Sequence, residues 1–217
     1  MKMSGEHSSL LVSFMVLGLV FLSAGVYAAE DDNVVQRGGM GVILLDLEDL
    51  NDSLEDQGYE RFDNSLYLSG GGAHEDFTEN FRLGGLGYRG SRKTSFQDGN
   101  GQLNLTYGGL LLEGKFDLTD KVSLLAGGLL GMGHVNLKIN ESIPDTFTGA
   151  LEDTPKTHEM KKSFYGAQPM LVAEVSLFSW LTVRASGGYL WGPAGKWDVA
   201  GKKLDGPMDQ ISAPVFG

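Results

Sequence analysis

The chain has no cysteine among its 217 residues. That excludes disulfides, thiol nucleophiles and cysteine-ligated zinc. It also excludes a lipid-anchored N-terminus, which would need a cysteine behind the leading apolar run. No apolar run reaches the ~20 residues that a spanning helix requires. Cationic residues are scarce, with 17 Lys and Arg against 28 Asp and Glu, a formal net charge of −11. Nucleic-acid binding needs a basic footprint and is therefore excluded.

Glycine is what the chain has in abundance, with 32 residues. It recurs as doublets inside apolar runs: Gly38-Gly39, Gly70-Gly71 (extended to Gly72), Gly84-Gly85, Gly108-Gly109, Gly127-Gly128 and Gly187-Gly188. Glycine weakens a strand interior, so its repetition there implies sharp sheet curvature, bulges or close approach of another backbone. The pattern speaks to architecture and not to chemistry.

Residues 1–28 read as a signal peptide. Lys2 opens the segment, an apolar run covers Leu10 to Leu22, and Val26-Tyr27-Ala28 supplies the small residues before a cut after Ala28, with a cut after Ala29 as second choice and an uncleaved N-terminal anchor as the alternative. The charge is uneven. Residues 30–63 carry eleven acidic side chains against Arg37 and Arg61, so residues 29–63 form an acidic N-terminal segment. Within it Gly38 to Leu45 is a candidate first strand. Leu47, Leu50 and Leu54 then fall on one helical stripe, with Glu48, Asp49, Asp52, Glu55 and Asp56 opposite and Gly58 as the stop. One short amphipathic helix is expected there, its leucines resting on the end or side of a sheet.

Residues 64–191 are expected to be an antiparallel β body. Leu66 to Gly72, Phe81 to Tyr88, Leu103 to Phe116, Lys121 to Ile139, Phe164 to Phe178 and Leu181 to Trp191 read as strands. Asp117 to Asp120 and Ser179-Trp180 are short breaks between paired strands. Asp98-Gly99-Asn100-Gly101 carries a turn signal. In Leu181 to Trp191 the odd-numbered residues from Leu181 to Trp191 share one face, and Thr182, Arg184, Ser186 and Gly188 share the other. Residues 140–162 are polar and read as a long loop. Residues 192–217 contain Pro193, Pro207 and Pro214 and are expected to be an irregular tail. With no helix between successive strands, a doubly wound α/β fold is excluded.

No motif specifies catalysis. Gly85-Leu86-Gly87-Tyr88-Arg89-Gly90 matches a dinucleotide fingerprint, yet it lies inside a strand with no helix behind it. A hydrolase elbow is absent, and no carboxylate pair is singled out by spacing. His74 beside Glu75-Asp76 reads as solvated loop, and His134 as an interfacial or core residue at a strand end. His158-Glu159 lacks the second histidine of a metalloprotease helix. The acidic run Asp46 to Asp56 does not have EF-hand spacing. Expected catalytic, cofactor-binding and metal residues are therefore none, and no cofactor is expected.

The two hairpins resemble those of outer-membrane β-barrel proteins. The residues that carry this are Tyr107 to Phe116, the turn Asp117-Leu118-Thr119-Asp120 and Lys121 to Gly128, then Glu174 to Phe178, Ser179-Trp180 and Leu181 to Tyr189. Aromatics Trp180, Tyr189 and Trp191 near the two ends of one strand fit interfacial girdles. The chain is also similar to exported glycine-rich β proteins in which an acidic Leu-Asn-x-x-Leu segment, here Leu50 to Leu54, precedes the sheet. This resemblance implies an all-β fold, an antiparallel up-and-down barrel of about eight strands with one short N-terminal helix. It implies a non-enzymatic cell-envelope protein, outer-membrane associated, structural or pore-like, with outer-membrane lipid or envelope proteins as partners. Two further readings stay open: a soluble exported barrel or sandwich that binds a ligand or partner, and a surface protein that self-associates through strand edges.

Overall fold

The computed structural model describes residues 29–31, 34–96, 99–141 and 156–217. The signal peptide expected over residues 1–28 lies outside the described residues. Among the described residues eleven strands appear in chain order: β1 (Ala29–Asp31), β2 (Val34–Leu44), β3 (Ser65–Thr78), β4 (Phe81–Phe96), β5 (Gly99–Thr119), β6 (Val122–Glu141), β7 (Lys156–Phe178), β8 (Leu181–Pro193), β9 (Trp197–Val199), β10 (Lys202–Leu204) and β11 (Gln210–Phe216). Helix α1 (Glu48–Glu55) stands between β2 and β3. Each of β2 to β8 pairs antiparallel with its chain neighbour, and β11 lies between β8 and β2. Eight strands thus form a ring in up-and-down order, as expected from the sequence.

Two-residue turns at Glu79-Asn80, Asp120-Lys121 and Ser179-Trp180 join strands at one end, here the lower end. The α1 segment and the β9–β10 hairpin lie at the upper end. Residues 192–217 are not an irregular tail. They complete β8, form the β9–β10 hairpin, and supply β11, which pairs with β8 from Gln210↔Pro193 to Phe216↔Gly187. Pro214 hides this strand from sequence inspection, because proline forfeits a ladder donor. Nor is 140–162 wholly loop: Asn140 and Glu141 belong to β6, and Lys156 to Lys162 belong to β7. Their polarity has another cause, taken up below.

The interior of the ring is filled. Leu66, Leu103, Leu111, Leu125, Leu129, Leu137, Phe164 and Leu190 are all essentially inaccessible. Such bulk fits inside a narrow barrel only where a neighbouring position has no side chain. A Cβ on Gly109 would lie 2.0 Å from the Leu130 carbonyl oxygen, and one on Gly133 would lie 2.3 Å from the Phe164 ring. Tyr107 uses the same room. Its ring stacks on Phe164 at 5.7 Å, and its hydroxyl reaches the carbonyls of Leu129 (2.9 Å) and Gly166 (3.0 Å). Five of the six doublets have a member held by such close approach (Gly70, Gly84, Gly109, Gly127 and Gly188), whereas Gly38-Gly39 stands in open space.

The upper opening is stoppered by the segment between β2 and β3. Leu47, Leu50 and Leu54 join the interior core with Phe62, while the acidic face of α1 stays in solvent. Gly58, just past the last turn of α1, has φ +82. Buried Asn51 ties both sides of this plug together. Its amide donates to the Phe62 carbonyl (3.0 Å), and its carbonyl accepts from the Phe62 backbone N–H (2.8 Å). Replacing Asn51 with alanine leaves two buried backbone groups without partners. We expect a loss of roughly 1–3 kcal/mol, read as faster amide exchange in residues 45–64 with the lower barrel unchanged. The Tyr59 hydroxyl donates to Glu141, and the phenol pKa is raised, first by that bond and then by burial. This contribution is complete below the ordinary tyrosine value and is lost as pH climbs through the raised one.

Candidate functional site

Two features stand out once side chains are placed, one inside the ring and one around it. The inner one is a charge cluster below the apolar layer. Glu113 on β5 is fully buried and receives Arg37 from β2 (3.3 Å) and Arg184 from β8. Glu174 on β7 receives Arg82 from β4 (2.8 Å) and Arg184 (3.0 Å). Arg82 also meets Asp76 on β3 at 2.9 Å. Each of these strands alternates inward and outward, and each charged residue occupies an inward position. Arg37–Glu113, Arg184–Glu113 and Arg82–Glu174 run across the lumen and join strands that are not neighbours in the ring, whereas Arg184–Glu174 and Arg82–Asp76 link adjacent strands. Buried charges persist only when paired and hydrogen-bonded, and this set meets that condition.

Arg37, Arg82, Glu113, Glu174 and Arg184 were not foreseen as a group. Apart from Glu174 and Arg184, which face each other across the β7–β8 hairpin, their partners are far apart in sequence, so no local spacing links them. One signal was available: a charged residue in the inward phase of an otherwise apolar strand. Glu113, in phase with Tyr107, Gly109 and Leu111 on β5, showed it.

The other expected positions fall as follows. The glycine fingerprint Gly85 to Gly90 lies wholly within β4, as its strand reading required. His74 is not in a solvated loop. It points inward from β3 and is buried, because the glycine-rich run Gly70 to Gly72 continues as strand. His134 faces outward and bonds Ser163 at 3.0 Å. His158 lies 3.8 Å from Glu141. The acidic residues of α1 are a solvated face, and no cluster of metal-binding side chains occurs among the described residues. Of the turn signal at 98–101, Gly99 to Gly101 are strand and Asp98 lies outside the described residues.

The second feature is an apolar belt on the outer surface. Met40, Tyr67, Leu83, Leu110, Leu130, Leu171, Tyr189 and Phe216 project from eight successive strands of the ring. Leu171 is 69% exposed and Leu130 53%. Aromatics mark both margins: Phe77, Phe116, Phe178 and Trp180 below, Tyr67, Tyr165, Tyr189 and Trp191 above. The upper edge of the belt is sharp. Arg89, Thr106, His134 and Ser163 are register partners across β4, β5, β6 and β7. One step below them the partners are Gly87, Gly108, Met132 and Tyr165, and one step above they are Ser91, Asn104, Asn136 and Lys161. From Gly108 to Leu118 the outward residues of β5 are apolar or glycine. Ten residues rise roughly 33 Å along a strand. A tilt of about 40° reduces that to about 25 Å of height.

The upper parts of β5, β6 and β7 continue past that edge with Gln102, Asn104, Asn136, Lys138, Glu159 and Lys161 outward. This is why 140–162 looked like loop: its outward residues stand above the belt in water. Lys162 points inward instead. It is buried and donates to the carbonyls of Pro207 (2.8 Å) and Met208 (2.9 Å), which anchors the approach to β11. Among the described residues no helix is long and apolar enough to cross a membrane, a statement that does not concern strands.

The fold and these two features define an eight-stranded up-and-down β-barrel with a filled interior and an apolar outer belt. No family model matches the chain, and no curated protein does. Among solved structures it is similar to Ail, the attachment invasion locus protein of Yersinia pestis, at 17% identity and a TM-score of 0.39, over 85% of this chain and 92% of that chain. That score is too low to bear on what this chain does.

Proposed function

We propose that this chain is a non-enzymatic, exported cell-envelope protein whose barrel spans an outer membrane and serves as a structural anchor, not as an open channel. The observation that carries this reading is the belt. It encircles the ring, stands about as tall as the apolar band of a transmembrane barrel, and ends within one register step. A soluble monomer rarely exposes an apolar patch of more than a few hundred Å². A protein partner would cover one side of a ring, whereas lipid covers all sides. The leading residues, which read as an export signal, agree with an envelope location.

The anchoring role follows from the interior. An apolar layer fills the upper lumen, the α1 plug stoppers it, and an ionic cluster crosses the lower part. Its carboxylates are engaged with arginines, which suits bracing better than acid–base work. Refolded into planar bilayers, the protein is expected to be heat-modifiable on gels and to give no stable conductance steps. Reproducible steps from folded protein would replace the anchor with a pore. Recovery wholly in a detergent-free soluble extract would remove the membrane reading itself.

A further inference from the structure

The charged side chains above the belt are not spread evenly around the ring. One step above the edge at His134, a single register row runs Asn104, Asn136, Lys161, Asp198 and Lys203 across β5, β6, β7, β9 and β10. The next row up carries Lys93, Gln102, Lys138 and Glu159 on β4 to β7. On the other side of the ring the outward positions Val42, Leu44, Tyr67, Ser65, Ser212 and Gln210 carry no charge. Lys138, Lys161 and Lys203 line one outward recess of about 570 Å³, together with His134 and Ser163. Two carboxylates stand among these lysines. Glu159 lies 3.1 Å from Lys161 and 3.8 Å from Lys138, and Asp198 lies 2.9 Å from Lys203. Three ammoniums thus meet two carboxylates, and the Lys138–Glu159 gap is too long for a hydrogen bond. Lys196 pairs with Asp205 further along the β9–β10 hairpin (2.8 Å) and does not line the recess.

We infer that this recess holds the phosphate of an anionic lipid in the leaflet that meets the upper edge of the belt, with Lys138, Lys161 and Lys203 as its cationic contacts. The inference rests on the membrane reading above, which sets the depth of the recess. A tilt of about 40° turns the ~7 Å rise of two strand residues into about 5 Å of height. The Lys161–Lys203 row therefore stands just over the apolar belt. The headgroup zone of a bilayer extends roughly 5–8 Å beyond the hydrocarbon on each face, so these ammoniums lie at phosphate depth. An ammonium offers three donors, and each of these lysines has one carboxylate at ion-pair distance among the described residues. A phosphate adds oxygens that the two carboxylates do not supply. Two features favour a lipid over a soluble anion. The belt continues directly below the recess through Met132, Tyr165 and Leu130, all exposed, so acyl chains have an apolar track there. The cations also gather on the side of the ring where β5, β6 and β7 rise past the edge, and not at its top.

The test uses the full chain, isotope-labelled and folded in maltoside micelles, titrated with dioleoyl phosphatidic acid and followed by its backbone amide resonances. Saturable shifts are expected in residues 134–138, 159–163 and 197–204, with 40–44 and 210–213 unmoved. Phosphatidylcholine and inorganic phosphate, each at the same concentration, should bind at least tenfold more weakly. Lys161→Gln combined with Lys203→Gln should weaken phosphatidic acid binding at least tenfold, because each lysine near an anionic headgroup contributes about a fivefold factor. Arginine at both positions should retain binding. Lys196→Gln removes the same charge at the same end of the barrel, outside the recess, and should stay within twofold of the parent. Only heat-modifiable protein is scored, and Lys138→Gln alone serves if the double variant does not fold. Shifts spread around the whole ring, unchanged binding by the glutamine variants, or equal binding of inorganic phosphate would each overturn the lipid site. So would tighter binding of a sulfated heparin tetrasaccharide, which would make the recess a site for soluble polyanions. Quenching of Trp180 and Trp191 by brominated phosphatidylcholine, which has no net charge, separates the two readings. If it persists, only the headgroup site falls, and if it is lost, the membrane reading falls with it.

Discussion

Glu113→Ala is expected to lower the stability of the folded barrel by about 3–5 kcal/mol, the usual cost of removing one partner from a buried ion pair. Glu113 is the carboxylate that Arg37 and Arg184 share, and its side chain is wholly out of solvent. Truncation leaves both guanidiniums in the lumen without it, and only Arg184 keeps Glu174. Three ring strands, β2, β5 and β8, lose their common tie. Glu113→Gln keeps an acceptor and should lose less. A paired replacement, Arg37→Met with Glu113→Leu, removes charge of both signs and should recover most of the loss, since apolar substitutes for a buried pair are often neutral. Urea unfolding in lipid vesicles, followed by tryptophan fluorescence, measures all three. Equal stability of Glu113→Ala and the parent would show that the cluster does not brace the ring.

The second large effect concerns the outer surface. Leu130→Arg places a charge inside the belt, between register partners Leu110 and Ala167. In a bilayer this should cost about 2–4 kcal/mol, against about 0–1 for a charge near the interface. Asn136→Arg, on the same strand face but above the edge at His134, is the matched control and should be close to neutral. In a water-soluble barrel the order reverses: Leu130→Arg would be harmless or would improve solubility. The same unfolding assay in vesicles decides, and the difference between the two variants is the quantity of interest.

Much of this architecture could be read from residues alone. The leucine stripe of α1 was visible because three residues at helical spacing must share a face, and the core did bury Leu47, Leu50 and Leu54. Strict alternation in residues 181–191 placed Arg184 opposite Trp191, and the ring puts one inside and the other out. The glycine doublets pointed to tight packing, as Gly109 shows. Other parts were hidden for physical reasons. β11 is short and carries a proline, so its strand character comes from β8 and β2 and not from its own propensity. The upper reach of β7 is polar because water meets it. His74 followed three glycines and looked like loop, although the ladder to β4 continues through it. The ionic cluster was the least legible part. Its three cross-lumen pairs join residues 71 to 92 positions apart, and only the folded ring brings those together.

The membrane-spanning belt is most directly tested by the depth of its two marginal tryptophans. Trp180 and Trp191 stand exposed at opposite margins, whereas Trp197 is buried at the upper end. Variants that retain one tryptophan each, refolded in bilayers of brominated phospholipid, report that depth by quenching. Trp180 and Trp191 should each lie roughly 12 Å from the bilayer centre, half the height of such a belt, and Trp197 should remain unquenched. A folded barrel in which neither Trp180 nor Trp191 is quenched would contradict the account.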